Sequence, residues 1–173
     1  DKTVTGNITT NADGKGTIDF ATATAAKTLV SGNIGSSTSL DMTLVTVNTG
    51  NTITSTIGGD IYTITLDVES TGTLAIGGDV TGATAFGHDG AINMAADKKF
   101  VGAITADTTN NGTVNFAATT TDTVLVSGAS GVAGTPKILK AINLAPATGV
   151  TGTLTGAVAA TAVNNNGAGT LAY

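Results

Sequence analysis

Leu29-Val30-Ser31-Gly32 is the stretch on which the fold turns, because it returns as Leu125-Val126-Ser127-Gly128 inside a longer match. Residues 2 to 35 align without a gap on residues 98 to 131, at a shift of 96, with 14 of 34 positions identical. The identities include Gly6 with Gly102, Ile8 with Ile104, Gly16-Thr17 with Gly112-Thr113 and Phe20-Ala21 with Phe116-Ala117. Inside the stretch, an apolar residue precedes a hydroxyl residue and then a glycine. Relatives of that triplet are Val4-Thr5-Gly6, Val30-Ser31-Gly32, Thr56-Ile57-Gly58, Val80-Thr81-Gly82, Phe100-Val101-Gly102, Val126-Ser127-Gly128 and Val150-Thr151-Gly152. Their glycines stand 26, 26, 24, 20, 26 and 24 residues apart.

A unit of about 24 residues with short strand-like runs and glycine corners is the size of one solenoid coil. The sequence therefore predicts an all-β chain, a parallel β-helix or β-solenoid forming one repeat-built domain over residues 1–173. Seven coils at the strand spacing of about 4.8 Å would make a rod of roughly 34 Å. The 96-residue shift leaves a second arrangement open, a pair of related β-sandwich units.

Composition agrees with strands. The chain has 24 glycines in 173 residues, 3% aromatic and 11% charged residues, and threonine makes up roughly a fifth of it. Branching at Cβ restricts χ1 and favours pleated backbone, whereas interior glycines weaken helices. A hydrophobic content of 40% is too high for a disordered segment, and so few aromatics exclude an aromatic-rich core. The net charge of −5 and the absence of arginine argue against a nucleic-acid partner. No cysteine is present, so disulfides and thiolate metal sites are excluded. No apolar run approaches the length of a membrane span, so no membrane insertion is expected. The start at Asp1-Lys2-Thr3 lacks a signal-peptide pattern, and the expectation is a processed protein or a piece of a longer one.

Between the corners, Thr43-Leu44-Val45-Thr46-Val47 and Ile61-Tyr62-Thr63-Ile64-Thr65-Leu66 alternate apolar residues with threonine, which predicts strands with one face inward. Asp13-Gly14, Asp89-Gly90, Asn110-Asn111-Gly112 and Asn164-Asn165-Asn166-Gly167 carry turn chemistry. The two prolines, Pro136 and Pro146, bracket Lys137 to Leu144, which reads as a strand rather than a short helix. The small residues Ala157 to Val163 suggest an end that is capped or continued.

No catalytic, cofactor-binding or metal-ligating set is expected. His88, the one histidine, lies in Phe86-Gly87-His88-Asp89-Gly90 and reads as an exposed turn residue. Asp60 and Asp79 each follow a Gly-Gly pair, as in a calcium-binding nonapeptide repeat. The two copies are too far apart along the chain to be tandem, so both read as turn aspartates. Lys98-Lys99 beside Asp97 reads as a solvated turn. The Thr-x-Thr pairs Thr22-Ala23-Thr24, Thr63-Ile64-Thr65 and Thr119-Thr120-Thr121 could order water if they stacked, yet their distances from the corner glycines differ. A polysaccharide-active β-helix enzyme would need converging acids and a base. Here the twelve acids are thinly spread and arginine is missing.

Val4-Thr5-Gly6-Asn7-Ile8, Gly16-Thr17-Ile18-Asp19-Phe20, Val30-Ser31-Gly32-Asn33-Ile34-Gly35, Gly112-Thr113-Val114-Asn115-Phe116 and Asn165-Asn166-Gly167-Ala168-Gly169-Thr170-Leu171 resemble the passenger regions of rickettsial surface cell antigens, the outer membrane protein A and B type of autotransporter. The likeness runs through most of the chain. It implies a surface-exposed β-helical passenger, exported through a C-terminal barrel and serving as coat and host-cell adhesin, with no catalytic residues to carry over. The chain departs from that family in lacking an export signal and a translocator barrel, which the resemblance explains by a fragment or processed piece. The expected function is therefore a non-enzymatic, extracellular or bacterial cell-surface structural and adhesive module. Its expected partners are copies of itself or a host or cell-surface ligand, with a self-assembling fibre or surface-layer subunit as the alternative.

Overall fold

The computed structural model describes residues 2–36, 40–120, 123–129 and 137–173. Those residues form strands and connections with no helix. The strands are β1 (Thr17–Ala23), β2 (Lys27–Val30), β3 (Met42–Thr49), β4 (Thr54–Ile57), β5 (Ile61–Val68), β6 (Thr73–Ile76), β7 (Val80–Phe86) and β8 (Ala91–Met94). They continue as β9 (Phe100–Val101), β10 (Ile104–Ala106), β11 (Asn111–Ala118), β12 (Thr123–Ser127), β13 (Leu139–Pro146), β14 (Thr151–Thr155), β15 (Ala160–Asn165) and β16 (Thr170–Ala172). Successive strands fall, for most of the chain, alternately into two sheets. The first runs β1-β3-β5-β7-β9-β12-β14-β16, with β10 also on β7, and the second runs β2-β4-β6-β8-β11-β13-β15.

Every ladder between these strands is parallel. The fold is a parallel β-solenoid, and it replaces the paired sandwiches considered from the 96-residue shift, since sandwich sheets are antiparallel. A first-sheet path of eight strands contains seven steps, about 34 Å at the usual spacing. Coil length varies around the expected mean. The coils that carry Lys27 to Ser55 and Asn111 to Leu139 are long, and the one that carries Leu74 to Ile92 is short. Connections absorb the differences while the strands keep their columns. The Lys137 to Leu144 segment enters β13 as a strand, with Pro146 at its last position, where a missing N–H costs least; Pro136 lies outside the described residues.

Like residues stack between the sheets. Val47, Val68, Phe86 and Ala106 make one interior column, and Val30, Ile57, Ile76 and Met94 another. Aliphatic side chains do most of the filling, as the composition requires. Phe100 and Phe116 meet edge to face across the interior, ring centroids 5.9 Å apart at 87°. The expected alternation holds on β3, where Val45 and Val47 are buried. It fails on β5. A register shift between Tyr62 and Thr65 turns Thr63 inward, 2% exposed, and Ile64 outward, 55% exposed. A bulge moves the following side chain to the opposite face. The buried Thr63 hydroxyl lies 2.8 Å from the Thr65 carbonyl oxygen and 3.2 Å from that of Met42.

The long sequence repeat has a different meaning from two equal halves. Gly16–Phe20 leads into and forms β1 in the first sheet, whereas its copy Gly112–Phe116 lies in β11 of the second. Leu29-Val30 is in β2 of the second sheet, and its copy Leu125-Val126 is in β12 of the first. The shift of 96 thus exchanges the faces of the solenoid. Both faces impose the same rule of apolar side chains inward, small polar ones outward and a glycine at the corner.

The glycine series also divides. Gly6, Gly32, Gly59 and Gly78 stack at one corner, where a Cβ on any of the last three would strike the backbone of the glycine before it or atoms beside it. Gly82 inside β7 and Gly102, Gly128 and Gly156 directly after β9, β12 and β14 stack in another column, while Gly152 lies within β14, its would-be Cβ 3.0 Å from a Leu125 methyl. At Gly102, φ is +143° and a Cβ would run into the Gly82 carbonyl. Gly149 has φ +78° but open space around it. Gly149→Ala is expected to cost about 1–2 kcal/mol, the backbone term alone. Gly102→Ala should cost more, on the order of 3 kcal/mol, because strain and clash add. Thermal or urea unfolding of the two variants measures the difference, and equal losses would contradict the close approach in this column.

Candidate interaction surface

Two side-chain ladders run along the solenoid. At the first glycine corner, Asn7 Oδ1 accepts the Asn33 N–H at 2.8 Å, Asn33 Oδ1 the Asp60 N–H at 2.9 Å, Asp60 Oδ1 the Asp79 N–H at 2.8 Å and Asp79 Oδ1 the Lys99 N–H at 3.1 Å. Each side chain therefore satisfies a backbone donor of the next coil. Asp60 and Asp79 lie in turns, and their distance in sequence does not keep them apart. Their separation is one whole coil at this place, so the two are direct neighbours in the stack. Their Oδ1 atoms serve backbone amides. Among the described residues no group of three or more His, Asp or Glu could hold a metal ion.

The second ladder crosses the outer face of the second sheet. Asn115 Nδ2 donates to Asn93 Oδ1 at 2.6 Å, Asn143 Nδ2 to Asn115 Oδ1 at 2.7 Å and Asn164 Nδ2 to Asn143 Oδ1 at 2.8 Å. Ala75 and Thr56 extend the column below Asn93. Beside it runs Thr54, Thr73, Ala91, Thr113, Ala141 and Ala162. The result is a flat face of threonine, alanine and asparagine, with polar groups bonded to one another along the stack in the manner of amide ladders. Sequence reasoning took Asn164 and Asn165 for turn residues; both are in β15, and the turn follows at Gly167 to Gly169. The four ladder asparagines are separated by 22, 28 and 21 residues, and only the coil lengths could have aligned them.

The threonine pairs do not form a common column. Ala23 and Thr63 are buried, Ile64 stands out at the bulge, and Thr121 lies outside the described residues. Thr119 and Thr120 instead hold Asp97. The Thr119 N–H reaches Asp97 Oδ1 at 2.6 Å, and the Thr119 and Thr120 hydroxyls reach Oδ2 at 2.7 and 3.0 Å. The Thr119 backbone bond, followed by that hydroxyl, holds the Asp97 carboxyl below the ordinary carboxylate range. Lys98 and Lys99 belong to the same connection, where the Lys98 N–H bonds back to the Ala95 carbonyl at 3.3 Å.

His88 is exposed in its turn, its side chain 59% accessible, with Nε2 3.2 Å from Glu69 Oε2 of the preceding coil. Stacking also gathers acids that looked scattered. Burial raises the Asp67 pKa, and the charges of Glu69 and Asp107 add to the effect. In the same turn as His88, Asp89 Oδ2 meets Lys140 Nζ at 2.7 Å, beside a shallow groove of about 350 Å³ lined by Asn51, Thr71, Thr73 and Thr113. Both partners of that pair are about half exposed, which limits its stabilisation to the range of surface ion pairs, about 0–1 kcal/mol.

No protein-family model matches the chain, and no curated protein or solved structure matches it.

Two outcomes follow from the ladders. Asn115 makes two ladder bonds, so Asn115→Ala should lower unfolding stability by about 1–2 kcal/mol, against no loss for Thr113→Ala beside it, as read by urea titration. Asp97 has a depressed pKa, so its contribution is full above the unfolded value of about 3.9 and fades as pH falls through the lower folded one. Asp97→Asn, which keeps the left-handed backbone accessible at φ 61°, should lower the thermal midpoint at pH 7, and the gap from the parent protein should close below about pH 4.

Proposed function

We propose that the chain is a non-enzymatic structural and adhesive module of an extracellular or bacterial cell surface, resembling the passenger regions of rickettsial surface antigens. The observation that carries this reading is the outer face of the second sheet, where Asn93, Asn115, Asn143 and Asn164 bond to one another over four coils. Their polar groups serve the stack, and the flat surface around them suits broad contact with a glycan or protein coat better than enclosure of a small substrate. The partners are copies of the chain or a host or cell-surface ligand. A fibre or surface-layer subunit is the second reading, favoured by the threonine, alanine and asparagine face of the second sheet, which repeats from coil to coil.

Beads coated with the purified chain should adhere saturably to cultured mammalian cells or to beads carrying the same chain, and acidic polysaccharides should remain intact on incubation with it. Release of reducing ends from such a polysaccharide, lost on Asp67→Asn, would overturn the non-enzymatic reading, because Asp67, Glu69 and Asp107 form the carboxylate group closest to acid–base chemistry.

A further inference from the structure

Polar side chains on this solenoid divide into those that bond to a neighbouring coil and those that do not. The ladder asparagines bond to one another, and Asn7, Asn33, Asp60 and Asp79 accept backbone donors. A set of free groups gathers in the groove beside the Asp89–Lys140 pair. Asn51, Thr52, Thr71, Thr73 and Thr113 line it, and none of these side chains makes a hydrogen bond among the described residues.

The groove runs along the stack, across the strands. Its lining comes from five successive coils, because Asn51 and Thr52 lead into Thr54, whose column continues through Thr73, Ala91, Thr113 and Ala141, the neighbour of Lys140. Four steps at the usual strand spacing make it about 19 Å long. One end is held in a strained shape. Thr52 has φ 63° in the turn that the Ile53 N–H closes on the Gly50 carbonyl at 3.1 Å. Branching at Cβ disfavours that backbone, which glycine or asparagine takes readily. Nine described glycines occupy left-handed positions elsewhere, so the threonine here stands where the chain's usual solution would relieve the strain. Strain of this kind collects at ligand clamps.

We propose that this groove binds an extended, neutral β-1,4-linked glycan laid along the solenoid axis, one sugar to each coil. The inference rests on the reading of the chain as an adhesive module and names the chemistry of its cell-surface ligand. A pyranose chain of that linkage advances by nearly the coil spacing for each sugar, so its hydroxyls meet a similar row of side chains coil after coil. Threonine hydroxyls and the Asn51 carboxamide both donate and accept, as sugar hydroxyls do. Asp89 and Lys140 offset each other's charge, which favours a neutral ligand, and each keeps capacity for a sugar hydroxyl. A peptide is served less well. The strands that carry Thr73, Ala91 and Thr113 are paired on both sides, so an added main chain would find no free ladder there.

Calorimetric titration of the 173-residue chain with cellopentaose, chitopentaose, mannopentaose and xylopentaose tests the assignment. The lining has no aromatic ring for a sugar to stack on, so the best of the four should bind with a Kd of about 1 mM, and its disaccharide about tenfold more weakly. Thr73→Val and Thr113→Val, which keep the side-chain shape, should each weaken binding about fivefold, and Thr81→Val on the first sheet should leave it unchanged. Thr52→Gly should raise the thermal midpoint while weakening binding, and circular dichroism reports the folding of every variant. No binding by any of the four, affinity unchanged in both valine variants, equal binding of α-1,4-linked maltopentaose, or a glycine-serine peptide bound in place of the sugars would each overturn the proposal. Absence of sugar binding beside intact cell adhesion would sink the groove alone, whereas cleavage of a bound pentasaccharide would sink the non-enzymatic reading and leave the groove standing.

Discussion

Adjacent coils must sit one backbone hydrogen bond apart, about 4.8 Å, and the corners must tolerate that approach as well as the strands do. Strands manage it easily, since side chains project away from the ladder. At a corner the chain turns and a Cβ can point into the coil beneath. The stacked glycines at Gly6, Gly32, Gly59 and Gly78, and at Gly82, Gly102, Gly128 and Gly156, remove that obstacle. Where a non-glycine residue takes a left-handed conformation, as Thr52, Asp97 and Asn110 do, it lies in a connection between strands.

Satisfied polar groups complete the stack. A buried interior of valine, isoleucine and leucine drives the sheets together, but it cannot serve the amides that leave the strands at each turn. The Asn7–Asn33–Asp60–Asp79 ladder accepts those donors one coil at a time. Ser70 does similar work inside, accepting the Thr49 N–H at 2.8 Å and donating to the Val47 carbonyl at 3.0 Å. Fit is imperfect elsewhere: the hydroxyls of Ser55 and Thr84 are buried without a partner among the described residues.

Fold class was legible because composition, threonine alternation and the recurring glycines all pointed to stacked parallel strands. Coil length was legible as an average and not in detail. The glycines of the Val-Ser-Gly series belong to more than one column, so the steps from Gly58 to Gly82 and from Gly128 to Gly152 are whole coils with a few residues added or removed. The match of residues 2–35 with 98–131 left a pair of sandwich units open beside the single solenoid, although Val30 and Val126 sit on opposite faces of one stack. Ile64 went outward because a bulge is a local slip in pairing that periodicity does not encode. The asparagine ladder, the approach of His88 to Glu69, and the stacking of Asp60 on Asp79 were hidden for one reason. Each depends on the length of an individual coil, and these lengths differ widely from one coil to the next.

The corner ladder has a direction. Every acceptor belongs to the earlier coil and every donor to the later one, from Asn7 through to Lys99. A chain emerging from a ribosome with its N-terminal end leading meets each acceptor already in place, so every new turn closes on a finished template. Each coil therefore offers its oxygens to the coil that follows it, and the ladder gives the stack a polarity along its axis.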